Sequence, residues 1–160
     1  SPAVRAHETG RLGTPEFAEA AVREFGLSLA PGEFLDHFRG WLQGPYEGVH
    51  DLLDELAARH RTAILTNISA VHWPIAQGYG IFERVERVIA SHQVGAIKPD
   101  REFFEIALAE LGAAREEAVF IDDNVVNVEG ARAAGLEAHV ARGLGETRAC
   151  LRALGLLGGL

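Results

Sequence analysis

Apolar positions along the chain fall into two regimes. Over residues 1–44 the spacing is helical, and Phe17, Ala18, Ala21, Val22 and Phe25 mark one face of a helix. Thr14, Pro15 and Glu16 read as its N-cap, its first-turn proline and its first-turn acid, and Gly26 as its stop. A second helix is expected from Pro31, carrying Phe34, Leu35, Phe38 and Leu42 on one side. The opening SPAVRAHETG reads as neither a strand nor a complete helix. QGPYEG (Gln43 to Gly48) breaks regular structure and reads as a linker or hinge.

Beyond the hinge the pattern alternates. Val49, Leu52, Leu53 and Leu56 give a helical stripe, then TAILTN (Thr62 to Asn67) is a short apolar run that reads as a buried strand. A helix is expected over Ala70 to Gln77, a strand at RVIAS (Arg87 to Ser91), and a loop at HQVGAIKPD. Asp100 then caps a helix with Phe103, Phe104, Ala107, Leu108 and Leu111 on one side, closed by Gly112. AVFID (Ala118 to Asp122) is a third strand, Val125 to Ala134 a helix, EAHVA after Gly135 a fourth strand, and GETRACLRALGLL a final helix. GLLGGL (Gly155 to Leu160) reads as a frayed tail. This alternation predicts an α/β fold: a Rossmann-like parallel sheet with helices on both faces over 45–160, preceded by a small helical unit over 1–44.

Composition narrows the setting. A chain of 160 residues suits one domain with a small appendage. A formal charge of −8 argues against general nucleic-acid binding, which wants basic patches. The single cysteine, Cys150, excludes a disulfide within the chain and fits a reducing, cytoplasmic setting. No apolar run approaches the roughly 20 residues of a membrane helix, and no signal peptide is visible. The chain holds no methionine, which hints that the natural N-terminus lies upstream of Ser1.

Candidate chemistry sits where strands end. In open α/β sheets ligands bind beyond the carboxyl ends of the strands. There the chain places Thr66-Asn67-Ile68-Ser69, then Lys98 before Pro99, then Asp122-Asp123-Asn124. Adjacent carboxylates repel and resist desolvation unless a cation or hydrogen-bond donors compensate. Two acids with a neighbouring amide suit Mg²⁺, a hard ion that keeps waters and a phosphate oxygen. Lys98 offsets phosphoryl charge, and Thr66 and Asn67 offer donors to phosphate oxygens. Each group also has a plainer reading: a solvated turn at Asp122-Asp123, a surface lysine at Lys98, a helix cap at Thr66-Asn67. Their joint placement favours phosphate chemistry. A nucleophile is missing from the set, unless one aspartate serves.

At this point the chain resembles a known family. LTN, KPD and FIDDNVVN are similar to the second, third and fourth motifs of the haloacid dehalogenase (HAD) superfamily, in order and on suitable elements. HETGRLGTPEF resembles the helical cap of the subgroup containing sugar-phosphate phosphatases and the phosphatase domain of soluble epoxide hydrolases, and HWP (His72 to Pro74) is similar to that subgroup too. The resemblance implies that Thr66 binds the phosphoryl group and that Lys98 steadies nucleophile and phosphate. It also implies that Asp122 ligates Mg²⁺, with Asp123 supporting the metal and Asn127 bracing it. The family's first motif, Asp-x-Asp, has no counterpart here. Its first aspartate is the nucleophile and its second the general acid/base. In the family's sheet its strand is central, between those expected at Thr62–Thr66 and Ala118–Asp122, so the fold is expected to lack its first core strand and the cap to be incomplete.

The resulting expectation is a Mg²⁺-dependent phosphatase of a small phosphorylated metabolite, inactive in this chain for want of the nucleophile. The alternative is a non-catalytic relative binding a phosphorylated ligand or a protein. A homo-oligomer is a further expectation, since an unfilled slot invites strand addition. The seven histidines show no metal-binding spacing and read as surface or packing residues, with His7 and Glu8 as candidates for the cap side of a pocket. Asn124 is expected to bond its own loop, Trp41 and Trp73 to pack, and Cys150 to be inert.

Overall fold

The computed structural model describes residues 1–158. Three helices come first: α1 (Pro2–Glu8), α2 (Thr14–Glu24) and α3 (Pro31–Arg39). The α/β part follows as α4 (Val49–Ala57), β1 (Ala63–Thr66), α5 (Trp73–Gln77), β2 (Arg87–Ala90), α6 (Ser91–Val94), α7 (Arg101–Leu111), β3 (Val119–Asp122), α8 (Val125–Ala133), β4 (Glu137–Val140) and α9 (Gly143–Ala153).

The helical unit closes around aromatic rings. Phe17, Phe34 and Phe38 are buried, with Phe17 and Phe38 centroids 5.0 Å apart. Val71, from the segment after β1, completes this cluster, so the unit shares its core with the α/β part. Several expectations shift here. The opening stretch does form a helix, because the Ser1 hydroxyl accepts the Val4 N–H at 3.1 Å and caps α1. Gly13, not Thr14, is the N-cap of α2, and Phe25 falls at its C-cap, 43% exposed.

In the α/β part, Gly112 closes α7 with φ of +56°, a left-handed conformation that glycine adopts without a Cβ penalty. Asp100 stands at the N-cap of α7 without a side-chain capping bond, because its carboxylate pairs with Arg5 of α1. The segment expected as a loop after β2 contains α6. The tail expected to fray is anchored as far as it is described: Leu157 is buried beside Leu52 and Leu151, and its N–H bonds the Leu151 carbonyl. The rest of that stretch, residues 159–160, lies outside the described residues.

All strand pairing is parallel. β1 pairs with β2 (Thr66 opposite Ala90) and β3 with β4 (Asp122 opposite Val140). Among the described residues these form two separate two-stranded sheets, not one, with no ladder between β1 and β3. Every residue of β1 is half-buried, and Val119 at the start of β3 is 37% exposed, which is unusual for apolar strands in a parallel sheet. The two halves are held in common by α7. Phe103 packs with Ile89 of β2, Phe104 packs with Phe120 of β3, and Leu65 of β1 touches both clusters.

Candidate active site

The carboxyl ends of β1 and β3 meet at the segment before α7. Asn67, directly after β1, grips the peptide of Lys98 from both sides. Its amide nitrogen donates to the Lys98 carbonyl at 3.0 Å, and its oxygen accepts the Lys98 N–H at 2.9 Å. Ser91, fully buried at the end of β2, holds the neighbouring Ile68 in the same manner: its hydroxyl accepts the Ile68 N–H at 2.9 Å and donates to the Ile68 carbonyl at 3.1 Å. Below Lys98, α8 presses directly on Pro99. A Cβ added at Gly130 would stand 2.4 Å from the Pro99 carbonyl oxygen and 2.6 Å from its Cβ, so only glycine fits there.

So placed, Lys98 crosses to β3. Its Nζ lies 2.7 Å from Asp122 Oδ2 and 5.6 Å from the Phe120 ring centre. The two side chains are only 9% and 8% exposed. Asp122 is braced further by the Asn124 N–H at 2.8 Å and by the Asn127 amide at 3.2 and 3.3 Å from its two oxygens. Burial pushes the Asp122 carboxyl up, but the Lys98 charge and hydrogen bond, with the Asn124 and Asn127 donors, outweigh it and hold the group below its ordinary value. Asp122 is therefore a carboxylate at neutral pH.

Of the residues singled out in the sequence, Lys98, Asp122, Asn127 and Asn67 form one connected network. Thr66 ends β1 half-buried beside it, and Asp123 is exposed next to Asp122. Asn67 spends its amide on Lys98, so it positions the lysine and its donor is not directed at phosphate. Asn124 caps α8, its oxygen accepting the Val126 N–H at 2.9 Å. His7 lies inside the helical unit, whereas Glu8 lines an open cleft with Val4, Arg5 and Ile97, next to Lys98. Trp73 packs on Phe82, and Trp41 covers Phe34 and Phe38 with one face while staying 59% exposed. Reading the sequence missed Ser91 and Gly130. A serine at a strand end and a glycine inside a helical pattern were the available signals.

The donor set suits a hard cation. Asp122 offers ionised oxygens and Asp123 a second carboxylate beside it. Among the described residues no cluster of three or more His, Cys, Asp or Glu side chains could enclose a metal. Two carboxylates, with the remaining sites left to water and phosphate, is the pattern Mg²⁺ accepts.

Comparison with known proteins agrees with the architecture. A family model described as haloacid dehalogenase-like hydrolase matches residues 5–135. Phosphatase MT3486 of Mycobacterium tuberculosis is 31% identical over 138 residues, covering 83% of this chain and 63% of that protein. N-acetylmuramic acid 6-phosphate phosphatase of Pseudomonas aeruginosa is 30% identical over 133 residues, covering 74% of this chain and 58% of that protein. The chain thus spans about three-fifths of the length of these curated relatives. A predicted HAD-like family hydrolase from Porphyromonas gingivalis superposes with a TM-score of 0.78 at 26% identity, covering 95% of this chain and 78% of that one. A HAD-family enzyme of Bacteroides thetaiotaomicron, solved with magnesium and inorganic phosphate, superposes at 0.74 with 22% identity, covering 86% and 73% of the two chains.

Proposed function

This chain belongs to the haloacid dehalogenase-like hydrolases, and from that premise we propose that it carries the phosphate- and metal-holding half of a phosphatase site for a small phosphorylated metabolite. The observation that carries the reading is the Lys98–Asp122 pair, enclosed at the strand ends and braced by Asn127 and, through the lysine's backbone, by Asn67. In this reading Lys98 shares its ammonium between Asp122 and a phosphoryl oxygen, and the Thr66 hydroxyl donates to a second oxygen. Asp122 and Asp123 would hold Mg²⁺, which neutralises phosphoryl charge when bound. Relatives named as phosphatases and a structural neighbour holding magnesium and phosphate support this reading of the substrate class.

The attacking group is assigned outside these 160 residues. No Asp-x-Asp occurs among them, and Asp122 is committed to Lys98 and Asn127. Among the described residues β1 and β3 share no ladder, so in this reading a further parallel strand pairs between them and delivers it. Titration calorimetry with inorganic phosphate in the presence of Mg²⁺ tests the reading. Binding to the wild type and a loss of at least about tenfold in Lys98→Met are expected, the scale of one charge-assisted contact. Absence of phosphate binding with or without Mg²⁺ would overturn the phosphoryl reading. Turnover of p-nitrophenyl phosphate by this chain is expected to be negligible, because covalent catalysis collapses without its nucleophile. Vigorous Mg²⁺-dependent turnover would place the attacking acid among these residues after all.

A further inference from the structure

The joint between the helical unit and the α/β part is built around histidines. His7 of α1 is 1% exposed, its ring stacked on Phe17 with centroids 4.2 Å apart and an interplanar angle of 7°, and tilted against Phe38. Its Nδ1 lies 2.9 Å from the Leu12 carbonyl oxygen. A carbonyl only accepts, so Nδ1 carries the proton and Nε2 is the bare nitrogen of a neutral ring. That Nε2 is buried and has no hydrogen-bond partner among the described residues. A proton added there would create a buried cation whose new N–H has no acceptor.

The groups acting on His7 across the joint carry the same potential charge. His72, after β1, places Nε2 2.7 Å from the Phe38 carbonyl oxygen and its ring against Phe38. His92, on α6, places Nδ1 3.1 Å from the Ile68 carbonyl oxygen and its ring against Trp73. No described carboxylate faces His7 to welcome a positive charge. On its own helix Arg5 turns to Asp100, and Glu8 faces the cleft at Ile97. On the turn that follows, Arg11 reaches the Gly95 carbonyl. The charged residues of α2 (Glu16, Glu19, Arg23, Glu24) and α3 (Glu33, Asp36, His37, Arg39) are all exposed. The fit at this joint is tight, since a Cβ on Gly10 would stand 2.5 Å from the His92 carbonyl oxygen.

We propose that this joint is a proton-sensitive latch, in which His7 takes a solvent proton at Nε2 under mildly acidic conditions and releases α1 and the turn at 9–13 from α6. Proton uptake at His92 reinforces the release, because imidazolium rings around one joint repel one another. Burial is the main influence lowering the pKa of both His7 and His92 below their ordinary 6.5. The neutral rings therefore stabilise the closed joint above pH 6.5, and this stabilisation is lost as pH falls below it toward the depressed values.

Hydrogen–deuterium exchange of the whole chain at pH 7.5 and 5.5, corrected for intrinsic rates, tests the latch. Protection in residues 1–13 is expected to fall at least about tenfold at the lower pH while α7 stays protected. His7→Phe keeps the stack and removes the titration, so it is expected to flatten that change. Protection of α1 that ignores pH, falls together with α7, or falls as steeply in His7→Phe as in the wild type would overturn the proposal. NMR titration of the wild-type imidazoles gives a second readout that needs no variant. His7 is expected to titrate below about 6.5, with linked shifts in α6. Ordinary titration with α6 unmoved would equally overturn the latch.

Discussion

Lys98 and Asp122 place a full ion pair at a site almost closed to solvent, and such a pair survives only with its geometry and its extra donors intact. Removing one partner leaves the other charged in a low-dielectric pocket. Lys98→Met is therefore expected to lower unfolding free energy by about 3 kcal/mol, the range seen when a buried pair is broken. The double change Lys98→Met with Asp122→Leu should recover part of it, because no lone buried charge remains, although the Asn124 N–H and the Asn127 amide lose their acceptor. Urea unfolding of the single and double variants measures both, and equal loss in the two would show that the pair is not coupled. Exposed pairs such as Arg39–Asp36 and Arg101–Glu105 should contribute little by comparison. Asn67 belongs with the pair: it touches neither charge, yet Asn67→Ala removes two bonds that fix where Lys98 starts from.

At the scale of elements, the site depends on how closely α8 seats against the segment before α7. Gly130→Ala would drive a methyl into the Pro99 carbonyl, and backbone cannot yield there as a side-chain tip would. The expected cost is about 1–3 kcal/mol by overpacking, with weakened phosphate binding because Lys98 is the next residue. Thermal unfolding together with calorimetry checks this, and unchanged stability would mean that α8 and Pro99 are not in register as described. This contact is not legible in the sequence, which shows only a glycine inside a helical pattern. The elements themselves were legible wherever apolar spacing was regular: α7, with Phe103, Phe104 and Ala107 inward, matches its pattern from Asp100 to Gly112. Legibility failed where tertiary contacts override local signals. Asp100 gives its carboxylate to Arg5 instead of capping, α1 forms on a Ser1 cap, and Leu157 docks where a tail was expected. The strand-end residues were legible as a set, because polar residues after apolar runs point to one edge. The connections among them, Asn67 to Lys98 and Ser91 to Ile68, depend on loop geometry that spacing does not encode.

For the whole molecule, β1–β2 and β3–β4 share no ladder among the described residues, so side chains must hold the two halves of the α/β part together. Leu65, the aromatics of α7 and the Lys98–Asp122 pair do this, and of these only the pair responds to pH. Asp122 sits below its ordinary 3.8 in the folded chain, so its contribution is fully present above that value and is lost as pH falls through the folded value. Below the isoelectric point near 5.3 acidification also builds net positive charge, whose diffuse self-repulsion works in the same direction and is shared by any variant. A single linked proton changes stability by up to about 1.4 kcal/mol per pH unit, enough to dominate a diffuse charge effect. Urea midpoints followed from pH 5 to 2 in metal-free buffer should therefore fall below about pH 4 for the wild type. Asp122→Asn, already neutral, should start lower and lose that limb. Added salt should leave the wild-type limb largely in place, because a pair this enclosed is poorly screened. A wild-type profile parallel to that of Asp122→Asn would show that the two halves of the sheet are held together by apolar contact alone.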